Sequence, residues 1–328
     1  MVRSRIEQVL NFDNLHAVVI GDVMLDEYIL GSAKRISPEA PVPIVELASR
    51  EHRLGGAGNV AINTCSLGAK TTLIGLIGDD ANGQILTQLT KDHQNLSSYL
   101  IKDGGRKTTC KTRILASSQH LLRVDNEDRH DIPSPLVEKV EKMLKFIHHS
   151  TKIDVIILQD YNKGFFSAEM IQMLLSWSKS NGILTALDPK LERVSLFKGV
   201  DIFKPNLKEV IAFLGHEVAI TKEDLQSACS QVALKMESEL VVITLSADGI
   251  CSRKDDAFHW ESSSIQSIVD VSGAGDTVIS LVALLYANKD ASIEEITLLA
   301  NLGGGAVCRL PGVAVVDNGM ILDVIELL

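Results

Sequence analysis

His16-Ala17-Val18-Val19-Ile20, closed by Gly21-Asp22, is an apolar run that is short and lacks the alternation of a half-exposed strand. A run of this kind predicts a strand buried on both faces, as in a parallel sheet covered by helices. Similar runs recur at Thr72 to Ile77, Val155 to Leu158, Ile183 to Leu187 and Leu240 to Leu245. Stretches with helical spacing separate them: Ala57 to Leu67, Asn82 to Leu89, Pro135 to His148, Ala168 to Ser180 and Lys222 to Lys235. Strand and helix alternate, so βαβ crossovers and a mainly parallel sheet with helices on both sides are expected.

Two segments break that rhythm. Residues 28–47 and 108–124 have extended patterning, and the prolines of Ser37-Pro38-Glu39-Ala40-Pro41-Val42-Pro43 forbid a helix inside the first. They predict a small β-layer, a lid, inserted into the α/β unit. No repeat, low-complexity tract or Gly/Ser linker divides the 328 residues, so one domain over 1–328 is expected rather than two. An exposed lid edge invites pairing with a second copy, and a homodimer is the expected assembly.

Composition narrows the partners. The balance of 32 basic against 42 acidic residues gives a net charge of −10, which argues against nucleic acid and anionic membrane as partners. The N-terminal Met1 to Leu10 has no apolar core of a secretory signal. The longest apolar stretch, Thr277 to Ala287, is far short of the ~20 residues of a membrane span. The five scattered cysteines have no ligand or pairing pattern, which fits reduced thiols in a cytoplasmic protein.

Open parallel sheets bind ligands beyond the carboxyl ends of their strands, which directs attention to the residues after each apolar run. Asp270-Val271-Ser272-Gly273-Ala274-Gly275-Asp276-Thr277 opens a buried helix with small residues. Bare amides at a helix N-terminus receive an anion. The loop lacks a P-loop lysine but carries Asp276, which would accept a proton from an attacking hydroxyl as a P–O bond forms. The plainer alternative is an acid favoured by the helix dipole.

Gly55-Gly56-Ala57-Gly58-Asn59 opens another helical stretch and meets the spacing of a dinucleotide fingerprint, with Asp79 about 20 residues on. The preceding Ser49 to Leu54 does not read as the strand that fingerprint needs. Asn59 would bond a polyol if it faces inward, or cap the helix or face solvent if it does not. Asp22 and Asp26, after the first run, are carboxylates suited to sugar hydroxyls or to turn formation. Asn206 and Glu209 share a helix face: they could hold Mg²⁺ through its waters or form a capping box. The turn Thr244-Leu245-Ser246-Ala247-Asp248-Gly249 offers hydroxyls and open backbone to a nucleotide phosphate. Lys163, in Asp160-Tyr161-Asn162-Lys163-Gly164, and Lys190, in Asp188-Pro189-Lys190, lie beyond strand ends. With Arg113 and Arg123 of the lid they are cations suited to a second anionic group, or ordinary surface residues.

Together these motifs, in this order over nearly the whole chain, resemble the ribokinase-like (PfkB-type) carbohydrate kinases. Within that family, Ile36 to Pro43, Asp160-Tyr161-x-Lys163-Gly164, Asp188-Pro189-Lys190 and Asp270-Val271-x-Gly273-Ala274-Gly275-Asp276-Thr277 look most like the heptose-7-phosphate kinases. The resemblance implies a three-layer α/β/α sandwich with a β-lid, and ATP along the Thr244 to Gly249 and Gly273 turns. It also implies an adenine wall from Asn301 to Val307 that includes Gly304, and Mg²⁺ near Asn206 and Glu209. Asp276 would deprotonate the acceptor, and the Gly273, Ala274 and Gly275 amides would neutralise the moving phosphoryl group. The acceptor would be the C1 hydroxyl of a heptose 7-phosphate, with Lys163, Lys190 and Arg113 or Arg123 on its phosphate and Asp22, Asp26, Gly55, Gly56, Asn59 and Asp160 around the sugar. Many such kinases carry a C-terminal nucleotidyltransferase, and none is expected before Leu328. Ser246 stands where the wider family usually has glycine. The resemblance leaves dependence on a monovalent cation open. The whole reading requires the Asp276 side chain to face an open cleft. Its rivals are a kinase of fructose, ribose or a hexose phosphate, and a sugar-binding regulator without turnover.

Overall fold

The computed structural model describes residues 3–116, 119–263 and 268–326; parts of the 1–328 unit and residues 117 and 118 of the expected lid lie outside them. The strands are β1 (His16–Gly21), β2 (Val23–Ile36), β3 (Pro43–Gly56), β4 (Lys70–Gly78), β5 (Leu96–Asp103), β6 (Cys110–Ala116) and β7 (Gln119–Asn126). They continue with β8 (Val155–Gln159), β9 (Leu184–Asp188), β10 (Ile202–Phe203), β11 (Leu240–Thr244), β12 (Ile250–Lys254) and β13 (Ala257–Glu261). The helices are α1 (Arg3–Val9), α2 (Ala57–Ser66), α3 (Ala81–Lys91), α4 (Ser134–Ser150) and α5 (Ala168–Ser180). After them come α6 (Leu207–Leu214), α7 (Lys222–Met236), α8 (Ala274–Asn288), α9 (Ile293–Cys308) and α10 (Asn318–Glu326).

The quoted run forms β1, which is buried at every position and pairs in parallel with β4 and β8. It lies within a nine-stranded sheet of order β13-β12-β11-β10-β9-β8-β1-β4-β5. Pairing is parallel from β5 to β11, and the β12–β13 hairpin closes one edge antiparallel. Alternate β1 side chains enter opposite cores. Ala17 and Val19 pack with α1, α2, α8, α9 and α10, whereas Val18 and Ile20 pack with α4, α5, α6 and α7. These are the three layers of the expected sandwich.

The second sheet has order β3-β2-β6-β7 and takes in both extended segments. Its strands run further than those segments, because only Asp22 separates β2 from β1 and β3 continues directly into α2. Residues 49–54 are therefore strand, contrary to their expected reading. The dinucleotide fingerprint still lacks its context, since β3 pairs antiparallel with β2 outside the parallel sheet. At the β3–α2 junction Gly56 has φ +58, and a Cβ there would lie 2.4 Å from the Asp22 carbonyl oxygen, so only glycine fits.

Candidate active site

The site is built around the mouth of α8. Gly273 precedes the helix in the left-handed region at φ +84, and a Cβ there would come within 3.0 Å of Asn59 Nδ2. No side chain caps the helix. The Ala274 amide bonds to the Val271 carbonyl at 3.3 Å, so of the amides expected to meet phosphate it is already partnered. Among the described residues, the amides of Gly275 and Asp276 have no backbone partner in a neighbouring turn, so they are left at the positive end of the helix dipole.

Asp276 turns inward from the first helical turn and is 5% exposed. Asn59 Nδ2 donates to its Oδ2 at 2.7 Å. Gln159 Nε2 and the Tyr161 hydroxyl both donate to its Oδ1 at 3.0 Å. Burial pushes the Asp276 carboxyl up to about 6 and the Asp188 charge adds to this, while the Asn59 and Tyr161 bonds and the Lys204 charge oppose it. The group is thus ionised near neutrality yet basic enough to accept a proton. The expected direct exposure is not met: Asp276 lines neither of the two clefts nearest it, and a substrate in either would reach its carboxylate only past Gly275 or Tyr161. Its neighbour Gly275 lines one cleft, and Tyr161, bonded to its carboxylate, lines another.

The first cleft, of ≈ 380 Å³, is lined by Thr244, Ser246, Gly249, Asn301 and Gly304, all expected on the nucleotide side. Ile250, Val271 and Val278 give it apolar walls suited to a flat base. Ser246 has φ +58, a conformation that glycine would adopt without steric cost. Asn206 does not line this cleft. It and Glu209 form a capping box: the Glu209 amide donates to Asn206 Oδ1 at 2.9 Å, and the Asn206 amide donates to Glu209 Oε2 at 2.8 Å. The other Glu209 oxygen lies 3.3 Å from Lys190 Nζ. Both side chains are already engaged, so the pair does not fit the expected Mg²⁺ site. Among the described residues no group of three or more His, Cys, Asp or Glu is placed to hold a metal.

The second cleft, of ≈ 360 Å³, brings Lys163, Lys190 and Arg123 together and adds Lys111 and Arg129. Lys163 pairs with Glu127 at 2.7 Å, and Arg123 pairs with Asp125 at 2.8 Å. Lys111 has no ion pair among the described residues; its ammonium lies 5.1 Å from the centre of the Tyr161 ring, and burial pushes its pKa down. An unpaired, partly desolvated cation gains most from an incoming anion. Lys111 escaped notice because it belongs to no motif, although Lys111-x-Arg113 alternation on one strand face was available as a signal.

Other expected residues take structural positions. The Asp22 carboxylate accepts the amides of Tyr161 at 2.8 Å, Lys163 at 3.0 Å and Phe165 at 3.3 Å, so it fixes the loop after β8 and has little left for a sugar. Burial raises its pKa and those three bonds oppose the rise. Asp26 and Arg113 form a buried ion pair with each other, and the Arg113 guanidinium stacks 5.3 Å from the Tyr28 ring centre. Arg113 is thereby removed from the phosphate set. Asp160 is buried and accepts the Asn162 amide at 2.7 Å; burial, then the Asp22 charge, push it up to about 6. Gly55 lies where a Cβ would meet Asp26 Oδ2 at 2.3 Å, and Asn59 holds Asp276. Four residues near the base were not anticipated: Gln159, Tyr161, Asp188 and Lys204. The Lys204 ammonium is buried, pairs with Asp188 at 3.0 Å, and would lie 3.7 Å from a Cβ on Gly275.

A helix N-terminus with no side-chain cap, a buried carboxylate in its first turn and two clefts reached past Gly275 and Tyr161 form an arrangement suited to phosphoryl transfer. The description "pfkB family carbohydrate kinase" matches residues 14–317, and the chain belongs to that family. The bifunctional protein HldE of Sulfurimonas denitrificans is 37% identical over 302 residues, covering 92% of this chain and 62% of that protein. HldE of Syntrophotalea carbinolica is 35% identical, over 97% of this chain and 64% of its own. The chain thus spans less than two thirds of these relatives. Among solved structures, phosphofructokinase-2 from Escherichia coli in complex with potassium superposes with a TM-score of 0.79 at 18% identity, covering 96% of this chain and 99% of that one. Arabidopsis thaliana ribokinase complexed with ribose and ATP gives 0.72 at 18% identity, over 95% and 99%. At that identity the likeness establishes the ribokinase-like fold. Among the described residues, no helix is long and apolar enough to cross a membrane.

Proposed function

We propose that the protein phosphorylates a sugar that already carries a phosphate, with the C1 hydroxyl of D-glycero-D-manno-heptose 7-phosphate as the acceptor. The observation that carries this reading is the cationic cleft around Lys111, Lys163 and Lys190 beside the Asp276 base. Lys163 and Lys190 already have carboxylate partners, but a neutral sugar would leave Lys111 without one among the described residues, whereas a phosphate would pair it and share the neighbouring cations. The similarity to HldE favours heptose within that class.

ATP lies in the apolar cleft with its terminal phosphate at the mouth of α8. The acceptor hydroxyl gives its proton to Asp276 as its oxygen bonds the γ-phosphorus, and the bond to the departing ADP oxygen breaks. The amides of Gly275 and Asp276 and the buried Lys204 ammonium meet the charge that gathers on the phosphoryl oxygens. A divalent ion carried by the triphosphate would add charge neutralisation to that of these amides and Lys204. The second sheet acts as a lid within one catalytic unit and excludes water. Its exposed Ile36, Leu47 and Leu122 suit contact with a second copy.

ATP consumption measured over a panel of free sugars and sugar phosphates tests the reading. Turnover with the heptose 7-phosphate and little with free sugars is expected. Activity confined to unphosphorylated sugars overturns it, and binding without turnover reassigns the protein as a regulator.

A further inference from the structure

Tyr161 stands between the cationic cleft and the base. Its ring lines that cleft, while its hydroxyl donates to Asp276 Oδ1 at 3.0 Å. An acceptor hydroxyl would make the same kind of bond to the same carboxylate. With Gln159 also on Oδ1 and Asn59 on Oδ2, the phenol completes a set of donors around the acid. The backbone beneath Tyr161 is anchored by the Asp22 carboxylate. Its ring is flanked by the ammonium groups of Lys111 and Lys190, at 5.1 and 5.3 Å from the ring centre. Gln159 Oε1, buried beside the same carboxylate, has no hydrogen-bond partner among the described residues. A further hydroxyl arriving there has a waiting acceptor.

We propose that the Tyr161 hydroxyl holds the place of the acceptor hydroxyl on Asp276 and keeps water from being activated there, and that an anionic acceptor releases it by drawing Lys111 and Lys190 off the ring. The proposal rests on Asp276 being the base. The reaction it suppresses is hydrolysis: a water oxygen bonds the γ-phosphorus, the P–O bond to ADP breaks, and the water proton passes to Asp276 and then to solvent. Tyr161 is therefore a specificity residue for sugar over water. The phenol itself does not serve as a base, because burial, followed by the Asp276 and Asp188 charges, pushes its pKa well up.

The test is ATP hydrolysis without any sugar, in Tyr161→Phe, Asp276→Asn and the double variant. Tyr161→Phe keeps the ring and removes one charge-assisted hydrogen bond, so hydrolysis should rise by about tenfold with the KM for ATP unchanged. The rise should vanish in the double variant. Hydrolysis that stays at the parent level in Tyr161→Phe, with ATP still bound, overturns the proposal. A rise that survives in the double variant overturns it too, because water would then be activated elsewhere. Full sugar phosphorylation by Asp276→Asn alone would instead remove the base assignment on which the proposal stands.

Discussion

The two clefts nearest Asp276, one lined by Gly275 and the other by Tyr161, are built on opposite principles. The nucleotide side presents apolar walls, hydroxyls and backbone, whereas the acceptor side is crowded with ion pairs among Lys163, Glu127, Arg123 and Asp125. Under the proposed function, the difference means that the donor would be received by shape and the acceptor by charge. Perturbing one side should leave the other nearly untouched.

The largest effect belongs to the residue between them. Asp276→Asn removes the base and should lower kcat on the order of 10²-fold or more while the KM for ATP changes little. Steady-state kinetics with nucleotide titration checks this; near-normal turnover would make Asp276 a structural residue. On the acceptor side, Lys111→Ala should raise the KM for a phosphorylated acceptor about tenfold, in the range of one charge-assisted bond. ATP should be unaffected, and an equal loss with an unphosphorylated sugar would break the contrast between the clefts.

A pH profile sharpens the same point. The Asp276 carboxyl is raised to about 6, and only its ionised form accepts a proton, so kcat/KM should fall as pH drops through about 6. Asp160 is raised to about 6 as well. Asp160→Asn should therefore keep the acid limb, and its disappearance in that variant would reassign the limb. The smallest effect is on the nucleotide side. Ser246→Gly relieves a left-handed strain of about 1–2 kcal/mol and adds back about 0.5–1 kcal/mol of chain entropy. A small rise in Tm is expected with ATP binding nearly unchanged; a fall would mean that the Ser246 hydroxyl matters more than its backbone.

What could be read from the sequence divides along the range of the interactions. Runs such as Val155 to Leu158 announced buried strands because both faces of the sheet are covered, and the glycines before Asp276 announced the helix mouth because that geometry is local. β5, with a partly exposed mixture in Leu96-Ser97-Ser98-Tyr99, carried no comparable signal. The Asn206–Glu209 pair was ambiguous because the same spacing serves a cap or an ion, and only the reciprocal bonds decide. Tyr161 and Gln159 reach Asp276 across more than a hundred residues of chain, a contact that topology creates and no local pattern encodes. Lys204 was hidden for the same reason: its partner Asp188 lies on the neighbouring strand.

The junctions of the second sheet carry a mechanical consequence. One residue joins it to β1 and none separates it from α2, so there is no slack in which a swinging flap could dissipate its travel. If the sheet tilts over a bound substrate, the tilt would pass through Gly56 to the turn that bears Asn59, which bonds Asp276. A change in how the flap leans over its guest would then be felt at Asp276, and lengthening either splice should weaken that link.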